Sequence, residues 1–253
     1  MCRVNIPAGV RATWHPARRV VTCLTCGVKA GAGGLDTPGA SARREYDRRR
    51  AAREDRARQT LGLLGVVLAK TIDEPQSTRA WKTGADGEGR VGKRLAKLLA
   101  GTEVRLLHDR RIPGHGAANI DHLAVGPGGI TVIDTKSYRG KVRTERIGGL
   151  FSERRTVLKI AGRDGTHLID GIETQIAAVR SIIDATSPEP IDIRGALCIA
   201  DPEGLPILRT PSVRGIIVDG RRWVAKRARR PGPLTNEETA ALFERLNAVL
   251  PSA

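Results

Sequence analysis

Residues 119–136 read NIDHLAVGPGGITVIDTK: two apolar runs, Ile120–Val125 and Ile130–Lys136, on either side of Gly126-Pro127-Gly128-Gly129. Short β-branched runs flanking a Gly/Pro cluster predict a β-hairpin. With the turn centred between Pro127 and Gly128, cross-strand partners carry numbers that sum to 255, which sets Asp121 opposite Asp134. Opposed residues on one sheet face have Cβ atoms about 4.5–5.5 Å apart, where like charges repel. Two carboxylates so placed call for a proton or a cation, and paired oxygen ligands suit a hard ion such as Mg²⁺. The side-chain period of two puts Lys136 on the same face as Asp134. A carboxylate pair beside an ammonium is able to hold a metal and offset charge on a phosphate. On charge and spacing alone, two solvent-facing aspartates on an edge hairpin are the simpler reading, and one extra turn residue would slide Asp121 away from Asp134.

Around this hairpin the pattern is that of an α/β domain. Upstream, Gly87–Ala100 predicts an amphipathic helix, with Val91, Leu95, Leu98 and Leu99 at helical spacing, followed by a strand at Val104–His108. Downstream come strand candidates at Lys141–Thr144 and Thr156–Ile160, then a helix at Ile172–Ala185. Strands at Gly195–Ala200 and Val213–Val218 follow, and a closing helix at Thr235–Leu250 in which Thr235 and Glu238 have capping-box spacing. Residues 41–70 predict a helix, with Ser41 as N-cap and an arginine-rich first part. Residues 1–40 read as irregular, and 71–83 as a polar linker containing Pro75. The composition changes near residue 80, so the chain divides into a basic, partly helical N-terminal extension (1–80) and an α/β domain (81–253).

The net charge is +16, with 14 Lys/Arg against 5 Asp/Glu in residues 1–70 alone. Such a surplus attracts polyanions, nucleic acid first among them, although an arginine-rich chain also arises from genome composition. The Arg-rich helix, with Arg48, Arg49 and Arg50, is either a solvated surface or a phosphate-binding one. The same two readings apply to Tyr138, Arg139, Lys141 and Arg143 after the hairpin. The longest apolar run, Leu61–Ala69, is too short for the roughly 18 residues of a membrane span. The first residues lack the apolar stretch of a signal peptide, and four cysteines do not make a disulfide scaffold. The expectation is a soluble, cytoplasmic protein. Cys23-x-x-Cys26 is half of a zinc knuckle. The alternatives are a structural zinc shared across a homodimer, one completed by His15 and Cys2, or no metal. Cys198, in an apolar strand, reads as a buried thiol, and His122, next to Asp121, points to the opposite sheet face.

Three segments in order, GADGE (84–88), NIDHLAVGPGG (119–129) and VIDTKSYRGKV (132–142), resemble the NERD (nuclease-related) domain of the PD-(D/E)xK superfamily over roughly residues 84–200. The resemblance implies a restriction-endonuclease-like core of helix, β-meander, helix and strand. It also implies roles: Glu88, Asp121 and Asp134 as metal ligands, Lys136 as the lysine of the (D/E)xK pair, and Gln175 on the following helix as a further site residue. The activity so implied is Mg²⁺- or Mn²⁺-dependent hydrolysis of phosphodiester bonds in DNA. The alternative is a nucleic-acid-binding or scaffold module with a weakly active core.

Overall fold

The computed structural model describes residues 12–15, 20–23, 37–71, 76–114, 118–138, 140–149, 154–185, 190–205 and 210–253. The chain forms two compact units, Met1–Thr37 and Pro38–Ala253. In the first, strands β1 (Ala12–His15) and β2 (Val20–Cys23) pair antiparallel, Ala12 opposite Cys23 and His15 opposite Val20. Cys2 and Cys26 lie outside the described residues, and so does Arg139.

The second unit runs α1 (Ala40–Thr71), α2 (Gln76–Leu99), β3 (Arg105–Arg111), β4 (Asn119–Gly126), β5 (Gly129–Lys136), β6 (Val142–Ile147), β7 (Arg155–Ile160), β8 (Arg163–Asp164), α3 (His167–Asp184), β9 (Ile193–Ile199), β10 (Ser212–Val213), β11 (Ile216–Gly220), α4 (Arg221–Ala228) and α5 (Asn236–Val249). A six-stranded sheet has the order β10-β11-β9-β5-β4-β3, in which β9 runs parallel to β5 and β11 parallel to β9. The small sheet β6-β7-β8 and helix α3 make the crossover from β5 to β9. The fold is mixed α/β, and its helix, meander, helix and strand are those of a restriction-endonuclease-like core.

Both faces of the main sheet are covered, which explains why β4, β5 and β9 read as nearly continuous apolar runs. On one face Val91, Leu95 and Leu99 of α2 and Val224 and Ala225 of α4 pack on Ala124, Ile133, Ala196 and Cys198. On the other, Ala178, Val179 and Ile183 of α3 and Leu242 and Leu246 of α5 pack on Leu123, Val125, Ile130 and Val132. The hairpin register follows the expected sum, from Gly126↔Gly129 to His122↔Ile133. Gly129 adopts φ +96°, and a Cβ there would fall 2.2 Å from the Asp192 carbonyl oxygen, so the turn requires glycine twice over.

Five expectations change. Residues 12–15 and 20–23, expected to be irregular, are the paired strands β1 and β2. Helix α2 begins at Gln76 rather than Gly87, so the second half of the expected linker is helical and residue 80 falls inside α2. Ser41 lies within the first turn of α1 rather than at its N-cap, and the carboxylate of Asp109 does the capping instead, accepting from Ser41 N and Oγ at 2.6 Å each. The single strand expected at Val213–Val218 is two, β10 and β11, separated by a tight turn at Arg214 and Gly215, both with positive φ. Helix α4 was not expected at all: its sequence, RRWVAKRA, is mostly polar and its N-cap is Gly220. The capping box of α5 forms as read, with Glu238 N donating to Thr235 Oγ1 at 3.2 Å and Thr235 N to Glu238 Oε2 at 2.7 Å.

Candidate active site

The β4–β5 ladder stops at His122↔Ile133, one step before Asp121 would meet Asp134. Beyond it the strands part. Ile120 and Asn119 pair with β3, while Asp134, Thr135 and Lys136 pair with β9. The opening leaves the Thr135 N–H without a carbonyl from β4, and the Asp121 carboxylate takes it, Thr135 N donating to Oδ2 at 2.7 Å. Asp121 therefore reaches toward β5 at the fork rather than standing squarely opposite Asp134. Both aspartates are buried, at 6% and 8% exposure. Lys136 follows on the same face, its Nζ 2.8 Å from Asp134 Oδ2.

Glu88 arrives from α2. At Gly87 a Cβ would lie 1.8 Å from Ser137 Oγ and 3.1 Å from Ser137 Cβ. Glycine at this position lets the helix approach the end of β5, and that approach carries Glu88 to the fork. Glu88 Oε2 is buried with no hydrogen-bond partner. Burial, then the charges of Asp121, Asp109 and Asp134 against the pull of Lys136, push the Glu88 carboxyl up to about 9. Burial and Asp134 raise Asp121 to about 7, opposed by Lys136 and the Thr135 N–H. Burial disfavours the Lys136 ammonium, but Asp134, Asp121 and Glu88 outweigh it and hold the pKa above its ordinary value.

Gln175 of α3 lies against the start of β4, its Nε2 donating to the Asn119 carbonyl oxygen at 3.4 Å, while its Oε1 is buried without a partner. His122 points to the α2 face. Its Nδ1 is 2.9 Å from His108 Nδ1, and burial together with His108 keeps its pKa well below the ordinary range, so it is a neutral packed residue.

Asp109 is the acidic residue that the sequence did not disclose. It sits in β3 at φ +51°, buried, in the one position of the β3–β4 ladder that would face Asp121. Besides Ser41 it accepts from Asn119 Nδ2 at 2.9 Å, so it ties the start of α1 to the start of β4. Its only sequence signal is its place in the β3–β4 register, hidden because the connection between these strands is not a tight turn.

Among the described residues no three His, Cys, Asp or Glu side chains converge into a ready-made metal cage. The donor set still suits a hard divalent cation. It consists of carboxylate oxygens, one of them, Glu88 Oε2, is buried without a partner, and the three carboxylates can ionise fully against the one ammonium only with further positive charge beside them.

The basic residues are less concentrated. Along α1, Arg48 and Arg49 pair with Glu45 at 2.7 and 2.6 Å, Arg50 pairs with Glu54 at 3.1 Å, and Arg49 lies over the Trp81 ring. Arg143 pairs with Glu145 at 2.9 Å, and Lys141 is exposed where its backbone bridges to Glu203. No described helix is long and apolar enough to cross a membrane.

Searches of curated proteins and of solved structures gave no match to the chain. The family model of the nuclease-related domain matches residues 83–200, which run from the turn of α2 before Glu88 through the β3–β4–β5 meander and α3 to the end of β9. Over residues 83–200, a little under half of its length, the chain is similar to the nuclease-related (NERD) domain family.

Proposed function

We propose that the protein is a divalent-metal-dependent nuclease that hydrolyses phosphodiester bonds in DNA. The observation that carries this reading is the gathering of Glu88, Asp121, Asp134 and Lys136 from two strands and a helix at the fork of β4 and β5. Glu88, Asp121 and Asp134 would hold Mg²⁺ or Mn²⁺, which supplies Lewis-acid polarisation of a phosphate oxygen and lowers the pKa of bound water. Lys136 keeps its proton across the neutral range, so it works as a cation: it offsets charge developing on the phosphate and orients the attacking water through a donated hydrogen bond. It does not serve as the general base. The Gln175 carbonyl, free of other partners, is available to accept from that water. Burial on both sheet faces keeps bulk solvent from screening these charges. Arg48, Arg49, Arg50, Lys141 and Arg143 are the candidates for phosphates flanking the cut.

The second reading, a nucleic-acid-binding module with a weakly active core, draws support from the absence of a ready-made three-donor cage among the described residues and from the Lys136–Asp134 ion pair that occupies the site. A supercoiled-plasmid assay separates the two. Nicking with Mg²⁺ or Mn²⁺ that EDTA abolishes supports the nuclease; DNA retardation without nicking under the same conditions supports the module. Zinc at Cys23 and Cys26 is a separate proposal, checked by elemental analysis of protein purified without chelators.

A further inference from the structure

A cavity of about 520 Å³ opens at the ends of β9 and β11, lined by Arg94 of α2, the turn at Pro202–Leu205, Asp219, and Arg221, Arg222 and Trp223 of α4. It is distinct from the fork but shares its end of the sheet. Lys136 pairs with Ile199, and Ile199 with Gly220, so the two places are two strand spacings, or about 10 Å, apart. In sheets of this kind, ligands gather beyond the carboxyl ends of the parallel strands.

Three features of the lining define a ligand. The first turn of α4 holds Arg221 and Arg222 and no acidic residue, and its N-cap, Gly220, has no side chain with which to cap the helix. Cations at a helix N-terminus oppose the helix dipole, and an anion there relieves both. Arg221 is paired with Asp201 at 3.5 Å, whereas Arg94 and Arg222 have no ion-pair partner among the described residues. Against these cations stands Asp219, buried at 4% exposure, with Oδ1 accepting from Gly220 N at 2.7 Å and Oδ2 without a hydrogen-bond partner. Burial raises its pKa, while Gly220 N and the Thr210 hydroxyl lower it. A bare anion would leave Asp219 Oδ2 without a donor and most of the cavity empty; a simple cation would meet the arginines. The lining asks for a molecule that carries both an anion and a hydrogen-bond donor, and the half-buried Trp223, with Lys226 Nζ 4.6 Å from its ring centroid, adds a flat wall.

We infer that this cavity holds one nucleotide, its phosphate on Arg94, Arg222 and the first turn of α4, and an amino group of its base on Asp219. The inference rests on the nuclease reading only for the source of the nucleotide, which in that reading is a strand of substrate beside the cut.

The test is calorimetric titration of the full-length protein with adenosine monophosphate and purine riboside monophosphate in EDTA. These differ at one position, an amino group in the first and a hydrogen in the second. Wild type should bind the adenosine compound about fivefold or more tightly, since Asp219 accepts from the amino group. Asp219→Asn retains an acceptor for Gly220 N, turns its amide toward the cavity, and should erase or reverse the preference. Arg222→Ala, at an exposed position, should weaken both nucleotides about tenfold. Competition by a short single-stranded oligonucleotide assigns the nucleotide to a strand; lack of competition assigns it to the free pool. Absence of mononucleotide binding, or equal affinity in wild type and Arg222→Ala, would overturn the inference. Because the titration contains no divalent ion, its failure is separate from a failure of metal-dependent cleavage.

Discussion

Glu88 is the residue on which the electrostatics of the fork weigh most. Its carboxyl is raised to about 9 in the folded chain against an ordinary 4.5, so the folded state holds a proton that the unfolded state releases. The stability linked to that proton is fully present below about pH 4.5 and is lost as pH rises toward 9. Asp121, raised to about 7, acts in the same direction over a lower range. Metal-free protein should therefore lose stability from pH 5 to pH 8, and Glu88→Gln should flatten that slope. At pH 8 in EDTA the variant should melt above wild type by at least about 2–4 °C, the shift that about 1 kcal/mol gives in a chain of this size. A variant that melts below wild type at pH 8 would mean that Glu88 is ionised and already satisfied. Lys136 makes a different prediction. With its stem kept and its charge removed, Lys136→Met should lower single-turnover cleavage by about a hundredfold or more. Its DNA affinity, measured in Ca²⁺ or EDTA, should stay within a few-fold, because one contact among many is a small share of the electrostatic term. Loss of affinity in proportion to rate would assign Lys136 to binding. Asp121, Asp134 and Lys136 were legible as a group because a short turn fixed their register, whereas the parting of the strands was not. It depends on β3 and β9 drawing β4 and β5 apart, and those partners are remote in sequence.

At the scale of elements, the approach of α2 to β5 is what brings Glu88 into the site. Gly87→Val should force α2 off Ser137 and destabilise the fold by about 1–3 kcal/mol, the usual cost of overpacking. Ser137→Gly, which removes the facing atoms, should recover part of the melting temperature. If the double variant is no better than Gly87→Val alone, the contact at Ser137 is not what Gly87 serves. The same helix shows how sequence reading falls short. Residues 71–83 read as a polar linker and Gly84 lowers helix propensity, so the expected helix began only at Gly87, yet Gly87 stands where packing requires no side chain. Helix α4 escaped for a related reason: Val224, Ala225 and Ala228 are too small a buried set to announce a helix amid arginines and lysines. Helix α5, with its capping box, and α3, with Ile172, Val179 and Ile183 buried in register, were plain because local chemistry and tertiary packing agree there.

Across the whole molecule, the charge of +16 favours attraction to a polyanion and says little about where one would bind. The structure narrows the choice, because several arginines of α1 already answer to Glu45 and Glu54. If Arg48, Arg49 and Arg50 nonetheless touch phosphates, replacing all three with alanine should reduce the log–log salt slope of duplex binding by about 0.9 per lost contact. An unchanged slope would make this face of α1 a solvated helix and leave the binding surface around the fork and the hairpin beyond it. The central claim is that the fork of β4 and β5 hydrolyses phosphodiesters through a divalent ion held by its carboxylates. The most direct test is the initial rate of plasmid cleavage against Mn²⁺ concentration, for wild type and Asp134→Asn side by side, with circular dichroism to show that both are folded. Wild type should show a saturable dependence that EDTA abolishes, and Asp134→Asn should show no metal-dependent rate. Equal cleavage by the two proteins, or wild-type cleavage that persists in EDTA, would contradict the account.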